Sequence, residues 1–233
     1  MTKFAEIRND LKKYIKKDKV ELLARYFKTG KGQYGEGDIF IGIMVPDTRR
    51  VAKKYCDADF ETIYELIYSK IHEERLCALL ILVEKFRKAD QKGRREVFNF
   101  YIKNSKQVNN WDLVDLSAPR IVGEYLYSKD SKIVYKFSKS KNLWQRRIAM
   151  LATFNFIGKA RFADALKIGR ILLKDKEDLI NKAVGWMLRE VGKRDIKKEE
   201  EFLLKNIKDI PRVTLRYAIE RLPEAKRQEY LKK

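Results

Sequence analysis

Apolar residues recur along most of the chain at intervals of three and four positions, which is the spacing of one face of an α-helix. No segment shows the sustained alternation of apolar and polar positions that is typical of half-buried strands. The sequence therefore predicts an all-α protein. The helical spacing is clearest in 4–15, with Phe4, Ile7, Leu11, Tyr14 and Ile15, and in 60–67, 97–101, 133–137 and 202–207.

Proline and glycine mark where these helices begin and where the chain turns. Pro46, Pro211 and Pro223 stand where a helix would begin, a position at which the missing N–H costs nothing. Five of the eleven glycines fall between Gly30 and Gly42, which predicts one long loop there. No linker rich in serine and proline divides the chain, so we expect residues 1–233 to form a single domain.

A sequence repeat organises the predicted helices. Residues 74–80 resemble residues 145–151, and the corresponding alanines, Ala78 and Ala149, are 71 positions apart. That distance is about two units of 36 residues, a period within the range of helical-repeat proteins. Further copies fit at Trp111, at 182–186 and at 215–219. We therefore expect an α-solenoid, in which stacked repeats bury a continuous core and leave a concave face for binding.

Charge indicates what such a face would bind. The chain has 53 Lys and Arg against 33 Asp and Glu, a net charge of +20, which favours a polyanionic partner and above all nucleic acid. The longest aliphatic run, 77–83, is too short to cross a bilayer, and the first ten residues lack the apolar core of a secretion signal. With only two cysteines, we expect a cytoplasmic protein with no membrane partner.

Histidine and cysteine are too scarce for most metal sites, so we expect neither a metal nor a cofactor. His72 is the single histidine. It lies at a predicted helix start, where we expect it to be exposed. Residues 30–35 match G-x-G-x-x-G literally, but a predicted helix precedes them and Glu36 and Asp38 follow, which argues against a nucleotide site. The loop is better suited to touching a DNA phosphate with its backbone amides.

All three tryptophans lie in the repeat-defining helices, next to charged residues. Trp111 and Asp115 are four positions apart and share one helical face. Pro119 removes the usual partner of the carbonyl of Asp115, so the helix should open there. Asp115 is thus a candidate site, with an ion pair to Arg147 or Arg120 as the structural alternative. For each tryptophan the structural alternative is a place in the core.

Six short segments together resemble the AlkD-type DNA alkylation repair glycosylases. The resemblance extends from about residue 20 to about residue 222, and it implies HEAT-like repeats whose concave basic face wraps duplex DNA. It also implies a monofunctional glycosylase that removes cationic N3- or N7-alkylated purines without flipping the base into a pocket. The segments are 24–27 (ARYF), 32–38 (GQYGEGD), 111–115 (WDLVD), 143–147 (LWQRR), 185–190 (GWMLRE) and 215–220 (LRYAIE).

The resemblance also implies roles for individual residues. Asp115 corresponds to the catalytic aspartate, and Trp111 and Trp186 to the aromatic pair that packs against the sugar and backbone of the lesion. Tyr26 corresponds to a supporting contact, and Asn110 stands where some members have an aromatic residue. The residues expected to contact DNA phosphates are Arg147, which belongs to the same cleft, and Arg146, Lys182, Arg189, Arg212 and Arg216.

The residue inventory is compatible with that chemistry, because an alkylated, cationic purine leaves without help from a general acid. A carboxylate would stabilise the oxocarbenium-like sugar and orient a water molecule. The expected partner is double-stranded DNA, especially when alkylated, bound by a monomer near the nucleoid. Two other functions stay open: a non-catalytic binder of damaged, bent or branched DNA, and a helical-repeat scaffold for other proteins.

Overall fold

The computed structural model describes residues 2–232, and these are helical almost throughout. Within this range there is no strand, and the one pairing of extended backbone is an isolated parallel bridge between Ile39 and Ile71. The all-α prediction is confirmed. None of the helices described is long and apolar enough to span a bilayer. The chain divides into two compact units, Met1–Ser117 and Ala118–Lys233, and the single domain stays a prediction.

The first unit is built around one buried helix, α5. This helix packs against α3, α4 and α6, and its apolar run 77–83 is buried throughout. The helices of this unit are α1 (Lys3–Lys12), α2 (Val20–Tyr26), α3 (Val45–Lys54), α4 (Phe60–Ile67), α5 (His72–Lys88), α6 (Gln91–Lys103) and α7 (Trp111–Ala118), the last residue of which opens the second unit.

Local signals explain where several of these helices begin. The side chains of Thr2, Asp59 and Asp90 accept hydrogen bonds from backbone N–H groups in the first turns of α1, α4 and α6. Pro46 lies in the first turn of α3, as predicted. The long glycine-rich loop is also confirmed and occupies 27–44. At Gly42 (φ +87°) an added Cβ would lie 2.1 Å from the carbonyl oxygen of Lys16, so only glycine fits.

The second unit has two layers of helices. In one layer α10 packs on α12 and α12 packs on α14; in the other, α9 and α11 pack on α10, and α11 and α13 pack on α12. The elements are a π-helical segment (Pro119–Gly123), α8 (Glu124–Leu126), α9 (Lys132–Ser138), α10 (Leu143–Gly158), α11 (Ala163–Leu172), α12 (Asp178–Gly192), α13 (Ile196–Asn206), α14 (Arg212–Ala218) and α15 (Glu224–Lys232).

Each copy of the predicted repeat falls in a helix. Residues 74–80 and 145–151 lie in α5 and α10, Trp111 is the first residue of α7, and 182–186 lie in α12. Residues 215–218 belong to α14, and Ile219 follows in a 3₁₀ turn. The repeat therefore marks helices that follow one another at regular intervals, and in the second unit these helices are packed neighbours.

Pro119 changes the helix in the way that its missing N–H predicts. The α-helical pattern of α7 ends at Ala118, and the next five residues, Pro119–Gly123, form a π-helical segment. A π-helical turn of this kind is rare and occurs often at functional sites. Asp115 thus lies one turn before an irregular stretch of helix, as the sequence predicts.

Candidate functional site

Trp111 is the outer member of a column of aromatic rings in the first unit. Its ring stacks on Phe27 with centroids 5.0 Å apart and planes 12° apart. Phe27 stacks on Phe40 at 4.9 Å, and Phe40 stacks on His72 at 4.4 Å. Tyr26 meets Trp111 edge-on at 5.7 Å. We refer to Trp111, Phe27, Phe40 and His72 as the aromatic stack.

The aromatic stack is anchored inside the unit and reaches solvent at its Trp111 end. Phe27 and Phe40 are each 6% exposed, whereas Tyr26 is 62% exposed and Trp111 is half-buried. The structure therefore brings two of the predicted lesion contacts, Trp111 and Tyr26, together at the surface. A ring fixed on one side by Phe27 keeps its orientation without any help from a ligand.

His72 is 1% exposed, so the expectation of an exposed histidine is wrong. The loop 27–44 and the start of α7 cover it. Its Nδ1 lies 3.1 Å from a carboxylate oxygen of Asp38, and its Nε2 lies 2.9 Å from one of Asp112. Burial by itself lowers the pKa of His72, but the hydrogen bond and charge of Asp112 and the hydrogen bond of Asp38 outweigh it and raise that pKa above its ordinary value.

Asp38 binds two more groups besides His72. It accepts hydrogen bonds from the guanidinium of Arg75 at 2.6 Å and from the side-chain amide of Asn110 at 3.2 Å. Burial raises the pKa of Asp38, but the hydrogen bond from His72 and the charge of Arg75 outweigh it, so the pKa lies below its usual range. We refer to His72, Asp38, Asp112, Arg75 and Asn110 as the buried ion network. Among the residues described, no group of three or more His, Cys, Asp and Glu is arranged to hold a metal ion.

Asn110, the departure from the pattern of some family members, has a structural role here. Its amide nitrogen bonds Asp38, and its side-chain oxygen accepts the backbone N–H of Trp111 at 2.8 Å. Asn110 is fully buried. It therefore links the buried ion network directly to the first residue of α7.

Asp115 lies on α7 one turn after Trp111 and is half-buried. The negative charge of Asp115 acts electrostatically on the buried phenol of Tyr101. The hydroxyl of Tyr101 is 2.9 Å from that of Ser117. Burial, together with the nearby charge of Asp115, raises the pKa of Tyr101. Asp115 is thus a half-buried acidic residue that shares a helix with the exposed end of the aromatic stack.

In the second unit Trp186 and Trp144 lie in different environments. Trp186 is half-buried on α12, where its indole N–H donates to Glu190 at 3.3 Å and its ring lies 6.0 Å from that of Phe154. Trp144 is 7% exposed and belongs to the core. The structural alternative therefore holds for Trp144, whereas Trp186 is only half-buried.

Two of the cations expected at DNA phosphates are largely used by the protein itself. Arg146 donates from Nε and Nη2 to Asp175 and from Nη1 to two backbone carbonyls, so four of its five N–H groups have partners. Arg147 is 5% exposed and donates to the carbonyl of Leu179. Arg146 thus holds α10 to the segment that leads into α12, and Arg147 holds it to the first turn of α12.

Three of the other four cations, Lys182, Arg212 and Arg216, are more accessible, whereas the side chain of Arg189 is 16% exposed, much as that of Arg146 is. Arg212 and Arg216 are exposed on α14. Arg212 donates to the carbonyl of Leu231 at 2.6 Å, and Arg216 has no ion pair with any residue described. The remaining two each have an acidic partner, Asp178 for Lys182 and Glu220 for Arg189.

The sequence did not reveal the buried ion network. The partners of His72 lie 34 and 40 positions away along the chain, beyond any local pattern. A usable signal was present nevertheless. Asp38 and Asp112 both lie inside segments that carry the family resemblance, next to Gly37 and Trp111.

Comparison with known proteins identifies a family for this chain. Residues 7–222 match the model of the DNA alkylation repair enzyme family. No curated protein matches the chain. Among solved structures, it is similar to a protein described as a predicted DNA alkylation repair enzyme from Enterococcus faecalis, with a TM-score of 0.70 and 17% identity over 89% of this chain and 96% of that one.

A second similar structure is AlkD2 from Streptococcus mutans, with a TM-score of 0.58 and 19% identity over 88% of this chain and 98% of that one. At this level of identity the two structures show that the fold is shared. The family model covers nearly the whole sequence, including Trp111, Asp115 and Trp186. The chain therefore belongs to the DNA alkylation repair enzyme family.

Proposed function

We propose that this protein is a monofunctional DNA glycosylase that excises cationic N3- or N7-alkylated purines from duplex DNA. One observation carries the proposal: Asp115 is a half-buried acidic residue one helical turn from Trp111, whose ring is held in place by Phe27. Membership of the family supplies the kind of damage. The base would be removed without being flipped into a pocket.

The proposed reaction breaks the bond between the sugar C1′ and the purine nitrogen. The bonding electrons leave with the purine, whose positive charge they neutralise, so no general acid is needed. The sugar becomes oxocarbenium-like, and the carboxylate of Asp115 stabilises that charge and orients a water molecule. The water oxygen adds to C1′ and its proton passes to solvent, which leaves a free base and an abasic site.

The tryptophans would contribute as aromatic faces. An indole face attracts a cation by about 0.5–2 kcal/mol, with the larger values where water is excluded. Phe27 covers one face of Trp111, so the other face is the one that can meet the sugar and backbone of the lesion. We assign Trp186 the same task from the second unit and Tyr26 a supporting contact beside Trp111.

The exposure of the cations supports a division of labour at the DNA backbone. Arg212, Arg216 and Lys182 have guanidinium or ammonium groups that reach solvent and suit direct phosphate contacts. We assign Arg146, Arg147 and Arg189 a different part. Their partners inside the protein fix them in place, from where they add to the positive potential that attracts duplex DNA.

The decisive experiment measures base release from a duplex that carries a single N7-methylguanine. We expect the wild-type protein to release the base and Asp115→Asn to lose at least about a hundredfold in rate, because the variant lacks the charge that stabilises the sugar cation. Binding to the same duplex should change little. Asp18→Asn, which neutralises an exposed carboxylate in the same unit, is the matched control and should keep the wild-type rate.

Three results would contradict the proposal. A wild-type protein that binds this duplex, and one with N3-methyladenine, but releases no more base than buffer is a non-catalytic DNA binder. An Asp115→Asn variant as fast as Asp18→Asn would place the chemistry elsewhere. Absence of DNA retention at low salt would instead favour the scaffold function.

A further inference from the structure

The buried ion network lies directly behind Trp111, and the proposed reaction uses none of its members. We propose that His72, held as an imidazolium between Asp38 and Asp112, is a positioning residue that fixes Trp111, and with it α7, for base excision. The inference rests on the proposed function for its consequence in catalysis. The charge state and the positioning of Trp111 can be tested without any excision.

With both carboxyl groups ionised, the geometry of the ring requires both nitrogens to carry a proton. Each faces a carboxylate oxygen, at 3.1 Å for Asp38 and 2.9 Å for Asp112. A carboxylate only accepts hydrogen bonds, so a neutral imidazole would direct a lone pair at one of the two. The charges of the network also balance in this form, since the positive His72 and Arg75 meet the negative Asp38 and Asp112.

The surroundings of the ring add to this preference. The face of His72 lies on Phe40 at 4.4 Å and also near Phe27 at 5.0 Å, and aromatic faces attract a cation. The charged groups that face it are Asp112 from α7 and Asp38 from the loop, which favour the charged ring, and Arg75 from its own helix, which opposes it. The neighbouring Glu73 is turned away and accepts the backbone N–H groups of 41–43.

The network reaches Trp111 by two routes. In the first, the oxygen of Asp38 that binds His72 also binds Asn110, whose own oxygen accepts the N–H of Trp111. In the second, His72 binds Asp112, which is adjacent to Trp111 on α7. Loss of the proton would break one of the two hydrogen bonds of His72 and leave an uncompensated negative charge at a buried site. The start of α7 and the loop would then lose their shared anchor.

The first test is direct because the protein has one histidine. Untagged protein should show a single imidazole Cε1–H signal in its proton NMR spectrum. We expect the signal to stay at the position of the charged ring well above pH 6.5, where an unperturbed histidine is half-charged. Asp112→Asn, which replaces a charged acceptor by a neutral one, should move the titration to lower pH. Titration of the folded wild type at or below pH 6.5 would overturn the proposal.

The second test follows Trp111 itself. In the Trp144→Phe/Trp186→Phe background Trp111 is the one remaining tryptophan. Its quenching by acrylamide should rise severalfold as pH passes the midpoint found by NMR, and it should be high at every pH when His72→Gln is added. Circular dichroism checks that each variant is folded. Quenching that is independent of pH and unaffected by His72→Gln would show that the histidine does not hold Trp111.

The third test joins positioning to catalysis. The rate of single-turnover base release by the wild type should fall as pH rises, with the same midpoint as the NMR titration. Asp112→Asn should shift the midpoint of the rate profile and that of the NMR titration together. If the role of His72 were merely structural, Asp112→Asn would lower the rate of base release without moving the midpoint of its pH profile. His72→Gln should be at least about tenfold slower, with a flat profile across that range. Midpoints that do not move together would contradict the positioning role, whereas absent excision with the NMR and quenching results intact would count against the proposed function alone.

Discussion

At the scale of single residues, Glu199 is a carboxyl group in a place that disfavours its charge. It is 2% exposed on α13, and its Oε1 has no hydrogen-bond partner among the residues described. Its other oxygen packs against Gly192 at the end of α12, where the carbonyl groups of the helix present negative potential. Burial, with the charge of Glu200, raises the pKa of Glu199 to about 8. The side chain is therefore mostly neutral at pH 7.

The raised pKa of Glu199 predicts how the stability of the protein depends on pH. The folded state keeps a proton that the unfolded chain releases above its ordinary pKa of 4.5. The stabilisation by this group is thus complete below pH 4.5 and is lost as pH rises through about 8, with a slope of up to about 1.4 kcal/mol per pH unit. Glu199→Gln should remove this slope from the free energy of unfolding, which urea titrations at pH 5.5, 6.5 and 7.5 would measure.

The matched control for Glu199→Gln is Glu201→Gln, which neutralises an exposed carboxylate two positions further along the same helix. Its unfolding should keep the wild-type dependence on pH. Equal slopes for Glu199→Gln and the wild type would show that the carboxyl group is already charged in the folded protein.

The sequence predicts the positions of some site residues better than those of others. Helical periodicity by itself places Asp115 and Trp111 on one face of a helix, because the interval between them is local. Periodicity could not predict that His72 is buried, because the loop residue that covers it, Asp38, is 34 positions away along the chain. Nor could it separate Trp144 from Trp186, because both lie in repeat-defining helices and only packing decides which is enclosed.

At the scale of elements, the close crossing of α12 and α14 depends on one glycine. A Cβ at Gly185 would lie 2.5 Å from the carbonyl oxygen of Thr214 and 2.5 Å from the Cβ of Tyr217. Gly185 precedes Trp186, so this crossing also positions a proposed contact of the lesion. Backbone atoms at this distance cannot rotate away, and the two helices would have to separate.

We therefore expect Gly185→Ala to destabilise the protein by about 1–3 kcal/mol, the usual cost of overpacking. Urea unfolding measures the change, and base release should fall with it because Trp186 moves. Gly158→Ala is the control, since a Cβ at this last residue of α10 meets nothing within 4 Å. That substitution should be neutral or slightly stabilising. Equal stabilities of the two variants would show that α12 and α14 accommodate a methyl group without cost.

The elements themselves were mostly predictable, and their ends were less so. The periodic segments lie in α1, α4, α6, α9 and α13, yet Tyr14 and Ile15 fall beyond the end of α1 at Lys12, and Ile207 falls just beyond the end of α13 at Asn206. Ile15 is 37% exposed, so the apolar spacing there does not mark a buried helical face, and periodicity alone does not show where the helix ends. The helix α5 is buried almost all round, and the internal repeat identifies it better than amphipathic spacing does.

At the scale of the whole molecule, a net charge of +20 indicates a polyanion but does not say which cations contact it. The structure separates cations that are committed to internal partners, such as Arg146, from those that reach solvent, such as Arg216. The first group cannot turn to a phosphate without breaking hydrogen bonds within the protein. Direct contacts should therefore come from the second group.

This separation makes a quantitative prediction about salt. Each phosphate contact releases counterions, so log K falls with log salt by about 0.9 for each contact. The double substitution Arg212→Ala/Arg216→Ala should lower the magnitude of that slope by about two units, and it should weaken binding to duplexes of any sequence alike, because phosphates carry no sequence information. Fluorescence anisotropy with undamaged duplexes over a range of salt concentrations measures both quantities.

Lys132→Ala is the control for that experiment, since it removes a cation whose side chain is 91% exposed on α9, in the other layer of the second unit. Its salt slope should match that of the wild type, because a cation away from the bound phosphates releases no counterion when DNA binds. Equal slopes for Lys132→Ala and the double variant would mean that α14 lies outside the interface. The affinity would then come from cations on other helices, and the assignment of Arg212 and Arg216 to DNA phosphates would be wrong.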